Sequence, residues 1–231
     1  MKAKQSGFTL VEIAIVLVII GLLLGGILKG QEMITQAKIK NVINDMNGIT
    51  AALNSYQDRY RALPGDDKNA ATRWAGTTGI AAGDGDGVIS GVWNSSVAAS
   101  WPESQLFWWH LRLAGFISGT GADLPFNALS GKMGVQTGNG PAAGATPTAV
   151  LETAGPPLIA GFTGLIMCTA NLPDKMAISV DAQTDDGNAQ TGSVRGADQL
   201  TIGPNPLVPA KLTTGYVEDG TKSYLVCRTM L

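Results

Sequence analysis

The chain has 231 residues, of which 45% are hydrophobic and 15% charged, with a formal net charge of −2. That balance, without any run of lysines or arginines, excludes a basic nucleic-acid surface and leaves room for one compact domain beside a long helix. Thirty glycines and eleven prolines suit an exported domain rich in loops.

The first seven residues, MKAKQSG, form a short basic leader, and Gly7 to Leu28 is then almost unbroken apolar sequence with one carboxylate, Glu12. A membrane-crossing helix needs about 20 apolar residues. An ionised carboxylate inside hydrocarbon costs roughly 2.5 kcal/mol or more, so such a residue marks a function and needs a partner. Cutting the chain before Phe8 would create an α-amino group four residues from Glu12. A secretory signal has a shorter core of roughly 7–15 residues and a small-residue cleavage site, whereas this run ends in Lys29-Gly30-Gln31-Glu32. A plain single-pass anchor fits the length but leaves both Glu12 and the Gly7-Phe8 junction without a purpose. Lys2 and Lys4 hold the leader in the cytoplasm and place the chain beyond the helix outside.

Leader, Gly7-Phe8 junction, Glu12 and apolar helix together resemble the prepilin signature of type IV pilins and type II secretion pseudopilins. The resemblance implies that a prepilin peptidase cuts after Gly7 and methylates the new amine of Phe8. It also implies that Glu12 neutralises the N-terminus of a neighbouring pilin subunit as the inner-membrane assembly machinery builds a filament. The expected route is a single-pass inner-membrane protein with a periplasmic globular domain, then a surface pilus or a periplasmic pseudopilus. Gly21 and Gly25 form a G-x-x-x-G pair, which reads either as close helix packing or as ordinary membrane-helix glycine. Many major pilins have a kinking proline near the position of Lys29; its absence here favours a pseudopilin or a less typical pilin.

Helical periodicity continues past the apolar run. Ile39, Val42, Met46, Ile49, Leu53, Tyr56 and Tyr60 recur at spacings of three and four, and Leu63-Pro64-Gly65 ends the pattern. The chain divides into a leader at 1–7, a membrane or assembly half-helix at 8–30, an amphipathic half-helix at 31–62 and a globular domain at 63–231. The expected fold is α+β, a pilin-like lollipop whose long N-terminal helix packs on an antiparallel β-sheet. The order of LPGDDKNAATRW, AAGDGDGVISG and ESQLFWWHLRLAGFISG also resembles a recurring proteobacterial family of pilin-like proteins.

Within this loop region, Gly83-Asp84-Gly85-Asp86-Gly87 alternates aspartate with glycine, as tight loops around hard cations do. Asp84 and Asp86 are therefore candidate calcium ligands, with Asp66, Asp67 or Glu103 needed to complete the shell. The competing reading is a glycine-rich turn with solvated aspartates. Pro102 opens a helix to about Ala114, too apolar for a free surface. All five tryptophans fall between residues 74 and 109; they read as core, with a contact on a neighbouring subunit as the alternative. His110, the single histidine, reads as structural.

Residues 131–157 read as loop with one short strand, Leu158 to Ala170 is apolar, and Met176 to Asp181 fits helix and strand periods equally. Asp185-Asp186-Gly187-Asn188 signals a turn. Leu207 to Val217 and Lys222 to Arg228 read as two strands turning through Glu218-Asp219-Gly220-Thr221. Cys168 and Cys227 are the two cysteines; outside the cytoplasm such a pair most simply forms one disulfide, with two buried thiols as the alternative.

The sequence is therefore expected to encode a structural subunit of a type IV pilus-like filament. A large loop-rich domain favours a minor subunit, a type II secretion pseudopilin is the alternative within the class, and a membrane-tethered binding module is the alternative outside it. An enzyme is not expected, because the chain has no G-x-S-x-G motif, one histidine and no cofactor fingerprint.

Overall fold

The structure is a computed structural model that describes residues 9–95, 101–138, 162–199, 203, 209–210 and 215–231. Its contacts divide the chain into two units, Met1–Lys38 and Ile39–Leu231. Helix α1, Leu10–Tyr60, has Thr9 at its N-terminal end and stops where Arg61 turns into the left-handed region at φ 54°. That is just short of Pro64, whose ring keeps the residue before it out of the helical region.

In the first unit every large apolar side chain from Leu10 to Leu28 is exposed, from 46% at Ile20 to 90% at Leu10. Gly21 and Gly25 have no atom near the place a Cβ would occupy. This stretch is long and apolar enough to cross a membrane. No described residue of its own unit covers it.

In the second unit the rest of α1 presents the expected stripe. Ile39, Val42, Met46, Ile49, Leu53 and Tyr56 are buried, at the three- and four-residue spacing of one helical face. They share a core with Phe107, Trp108 and Leu111 of α3 (Glu103–Leu113) and Ala177 and Val180 of α4 (Asp174–Thr184). A single turn, α2 (Ala70–Arg73), lies in the loop region. Met176 to Asp181, ambiguous by period, is thus helical.

Five antiparallel strands complete the α+β fold: β1 (Met133–Thr137), β2 (Leu165–Pro173), β3 (Val194–Gln199), β4 (Pro209–Ala210) and β5 (Ser223–Thr229). They lie in the order β1-β2-β5-β3-β4. Side chains alternate faces along a strand, and here both faces are buried. Leu165, Met167, Tyr224 and Val226 join α1 in the main core; Ile166, Cys168, Leu225 and Cys227 form a second cluster with Trp93 and Phe162. Segment 89–93 runs along β1, where the Thr137 N–H donates to the Ile89 carbonyl and the Trp93 N–H to Gln136 Oε1. Gly134 is required there, since a Cβ would meet the Trp93 carbonyl at 1.9 Å.

Two expectations need correction. Val217 is not in a strand, and of the expected Leu207–Val217 strand only Pro209–Ala210 is described as one; 207–208 and 211–214 lie outside the described residues. Nor does β5 turn back on that segment, because it pairs with β2 and β3 instead. The physical reason is that Tyr224 to Cys227 is apolar on both faces, which suits the middle of a sheet and not an edge.

The Sγ atoms of Cys168 and Cys227 are bonded across the directly opposed β2 and β5 positions. Closing a loop of 59 residues of sequence separation stabilises a domain by about 4 kcal/mol in the chain-entropy description. The Cys168→Ser/Cys227→Ser variant is expected to lose stability on that order, read from urea midpoints of the oxidised protein and the variant. An unchanged midpoint would contradict the bridge's structural role.

Candidate functional site

Two groups of polar residues stand out, one in each unit. At the start of α1 the Thr9 N–H and hydroxyl both donate to Glu12 Oε2, at 2.8 and 2.7 Å, and the Glu12 N–H donates to Thr9 Oγ at 3.3 Å. This is a reciprocal capping box, in which an N-cap threonine and the glutamate three residues on satisfy each other's backbone amides. Thr9 is not among the site residues expected from the sequence, although T-x-x-E ahead of an apolar run signals this arrangement. Among the described residues, Glu12 therefore has two donors, both from Thr9, and no opposite charge. Gly7 and Phe8 lie outside the described residues.

The second group organises segment 63–93. Asp66 is buried; its Oδ1 accepts the N–H groups of Gly85 and Asp86 at 2.6 and 3.1 Å, and its Oδ2 that of Gly87 at 2.8 Å. Glu103, at the start of α3, accepts from the Asp84 and Ser90 amides at 3.0 and 2.9 Å. Burial pushes both carboxyls up, against the pull of these amides. Asp84 and Asp86 each accept an amide two residues onward, from Asp86 and Val88, in Asx-type turns.

Oxygens of Asp66, Asp84 and Asp86 lie within 4.8 Å of one another, a spacing that a hard cation could bridge. Of the three residues expected to complete a calcium shell, only Asp66 joins this group. Glu103 is not in this group, and Asp67 faces the other way. The Asp67 carboxylate accepts from the Tyr56 hydroxyl at 2.7 Å, the Asn69 amide at 2.9 Å and the Arg73 guanidinium. Burial raises its pKa, but Arg73 and Tyr56 outweigh burial and hold it below the ordinary carboxylate value. A cleft of about 460 Å³ opens beside these residues, lined by Gln57, Tyr60, Lys68 and Asn69.

Of the tryptophans expected as core, Trp93, Trp108 and Trp109 are buried, while Trp74 and Trp101 are half-buried. Trp101 packs edge-on against Trp109 at 5.7 Å, and Trp74 joins Tyr56 and Tyr60. A further carboxylate group, Asp181, Asp185 and Asp186, closes the turn after α4. Asp181 accepts from the Tyr216 hydroxyl at 2.9 Å and the Gly187 amide at 3.0 Å, while Asp185 takes the Ser193 and Val194 amides. Burial, with Asp186 and Asp185 adding to it, pushes the Asp181 carboxyl up to about 6 despite its hydrogen bonds.

Residues 2–28 match the family model of the prokaryotic N-terminal methylation motif, the signature of type IV pilins and pseudopilins. A comparison of the chain with curated proteins finds no match.

The raised Asp181 carboxyl makes a pH prediction. A carboxyl whose folded pKa lies above its unfolded value of 3.8 favours the fold when protonated, and that stability is lost as pH rises through about 6. Compared with Asp181→Asn, the wild-type domain is expected to gain in urea midpoint as pH falls from about 7 to about 4. Parallel pH curves for the two proteins would contradict this.

Proposed function

We propose that this chain is a subunit of a type IV pilus-like filament, cut by prepilin peptidase after Gly7, methylated on Phe8 and assembled through its N-terminal helix. The observation that carries the reading is the methylation motif at residues 2–28, set on a helix whose apolar side chains from Leu10 to Leu28 are all exposed. Pulling such a surface out of lipid is costly unless other apolar helices replace the lipid. Glu12 gives the replacement a direction. Among the described residues its carboxylate meets the neutral donors of Thr9, whereas the processed N-terminus of a neighbour would supply a positive charge. Ion pairing in a low-dielectric setting is far stronger than in water, so the partner exchange favours the assembled state.

The membrane-anchored precursor then has its globular unit in the periplasm, and its partners are prepilin peptidase, the inner-membrane assembly machinery and other subunits. A large loop-rich domain supports a minor place in the filament. The absence of proline throughout α1 favours a pseudopilus or a less typical pilus over the thick adhesive kind.

Glu12→Ala is expected to leave the protein stable and membrane-resident while reducing its incorporation into filaments at least about ten-fold, as expected for loss of a desolvated charge partner. Quantitative immunoblotting of filament and membrane fractions reads both effects. Incorporation at the wild-type level would refute the role given to Glu12.

A further inference from the structure

His110 is fully buried on α3, and both of its ring nitrogens are engaged by backbone. Nδ1 accepts the Gly65 N–H at 2.9 Å, and Nε2 lies 3.0 Å from the Ala81 carbonyl oxygen. These partners fix the tautomer, since an amide N–H can only donate and a carbonyl can only accept. The proton is therefore on Nε2, and Nδ1 holds the one free lone pair. Through that ring, α3 grips two separate stretches of the 63–93 segment at once. Gly65 itself lies flat on the helix: at φ 94°, a Cβ there would meet the Glu103 carbonyl at 2.5 Å.

We propose that His110 is an acid-operated pin, releasing Gly65 and the turn that follows it from α3 when Nδ1 takes up a proton and can no longer accept the Gly65 N–H, while Nε2–H keeps its contact with the Ala81 carbonyl. The proton comes from solvent and has no other place on the ring. Once it is bound, two N–H groups face each other across a contact that had been a hydrogen bond, and an imidazolium is left in an aromatic pocket. Tyr56 of α1 is stacked on the ring at 6.4 Å and Trp74 lies at 6.0 Å. The charged groups facing it are Asp67 and Arg73, which act in opposite directions on the ring and are already paired with each other. Burial dominates and holds the imidazole below its ordinary value, so the pin stays closed at neutral pH and opens on acidification. Sheet ladders β1 to β5 share no hydrogen bond with His110, which makes release local. The device rests on the second unit alone and stands whether or not the chain enters a filament.

The test is amide hydrogen exchange of the full chain in detergent, at about pH 7.5 and about pH 5, corrected for intrinsic exchange rates. Protection of the Gly65 amide and of the turn that follows it is expected to fall about ten-fold or more relative to β2 and β5 at the lower pH. His110→Gln, which keeps an acceptor and a donor but does not titrate, is expected to abolish that difference. Unchanged protection in the wild type, loss in step with the sheet, or the same loss in His110→Gln would each overturn the proposal. Should the variant not fold, imidazole ¹⁵N resonances of the wild type decide. Nδ1 must gain its proton over the pH range in which protection is lost, and loss of protection with Nδ1 still unprotonated would overturn it.

Discussion

The constraint on which this molecule turns is a charge on an apolar rod. Leu10 to Leu28 displays an apolar surface that the described residues of its own unit leave bare, and Glu12 sits in the first turn of that helix. Lipid can cover the surface but cannot neutralise the carboxylate. The Thr9 cap goes part of the way by supplying two hydrogen bonds, which lowers the cost of holding Glu12 in the membrane without removing its charge. Only a cation completes it. On the proposed function, such a helix is tolerable in the bilayer and better satisfied where a neighbour's N-terminus faces Glu12.

The second unit answers a different problem with the same functional group. Its loops are rich in glycine, and loops cannot satisfy their own backbone amides as helices and sheets do. Buried and half-buried carboxylates collect them instead. Asp66 takes three amides, Glu103 two, Asp185 two, and Asp174 accepts from Asp219 and Gly220 across the turn before β5. Charge-assisted bonds of this kind are stronger than neutral ones, so a few acidic residues hold long stretches without regular structure. His110 does the same work with a neutral ring.

Much of this is legible in the residues. The stripe of α1 and the stop at Pro64 come from apolar spacing and proline sterics alone, and the α3 helix from its dense apolar run behind Pro102. Strand β3 is not legible, because Val-Arg-Gly-Ala-Asp-Gln carries only two apolar side chains and a glycine; it is a strand because β5 beside it needs a partner. Asp66 and Asp67 are indistinguishable by sequence. Tertiary placement alone turns the first toward Gly85 to Gly87 and the second toward Arg73 and Tyr56. Thr9 is legible in principle, as its spacing to Glu12 is that of a capping box, but a carboxylate in an apolar run signals charge pairing more strongly than helix capping.

The most direct test of the central claim is the intact mass of the protein recovered from filaments sheared off cells. Processing and assembly through the N-terminal helix predict a chain that lacks residues 1–7 and carries one added methyl group on Phe8. The same processed mass confined to the membrane fraction would move the subunit from a surface pilus to a periplasmic pseudopilus. A full-length, unmethylated chain in the membrane would contradict the claim and leave a tethered binding module in its place.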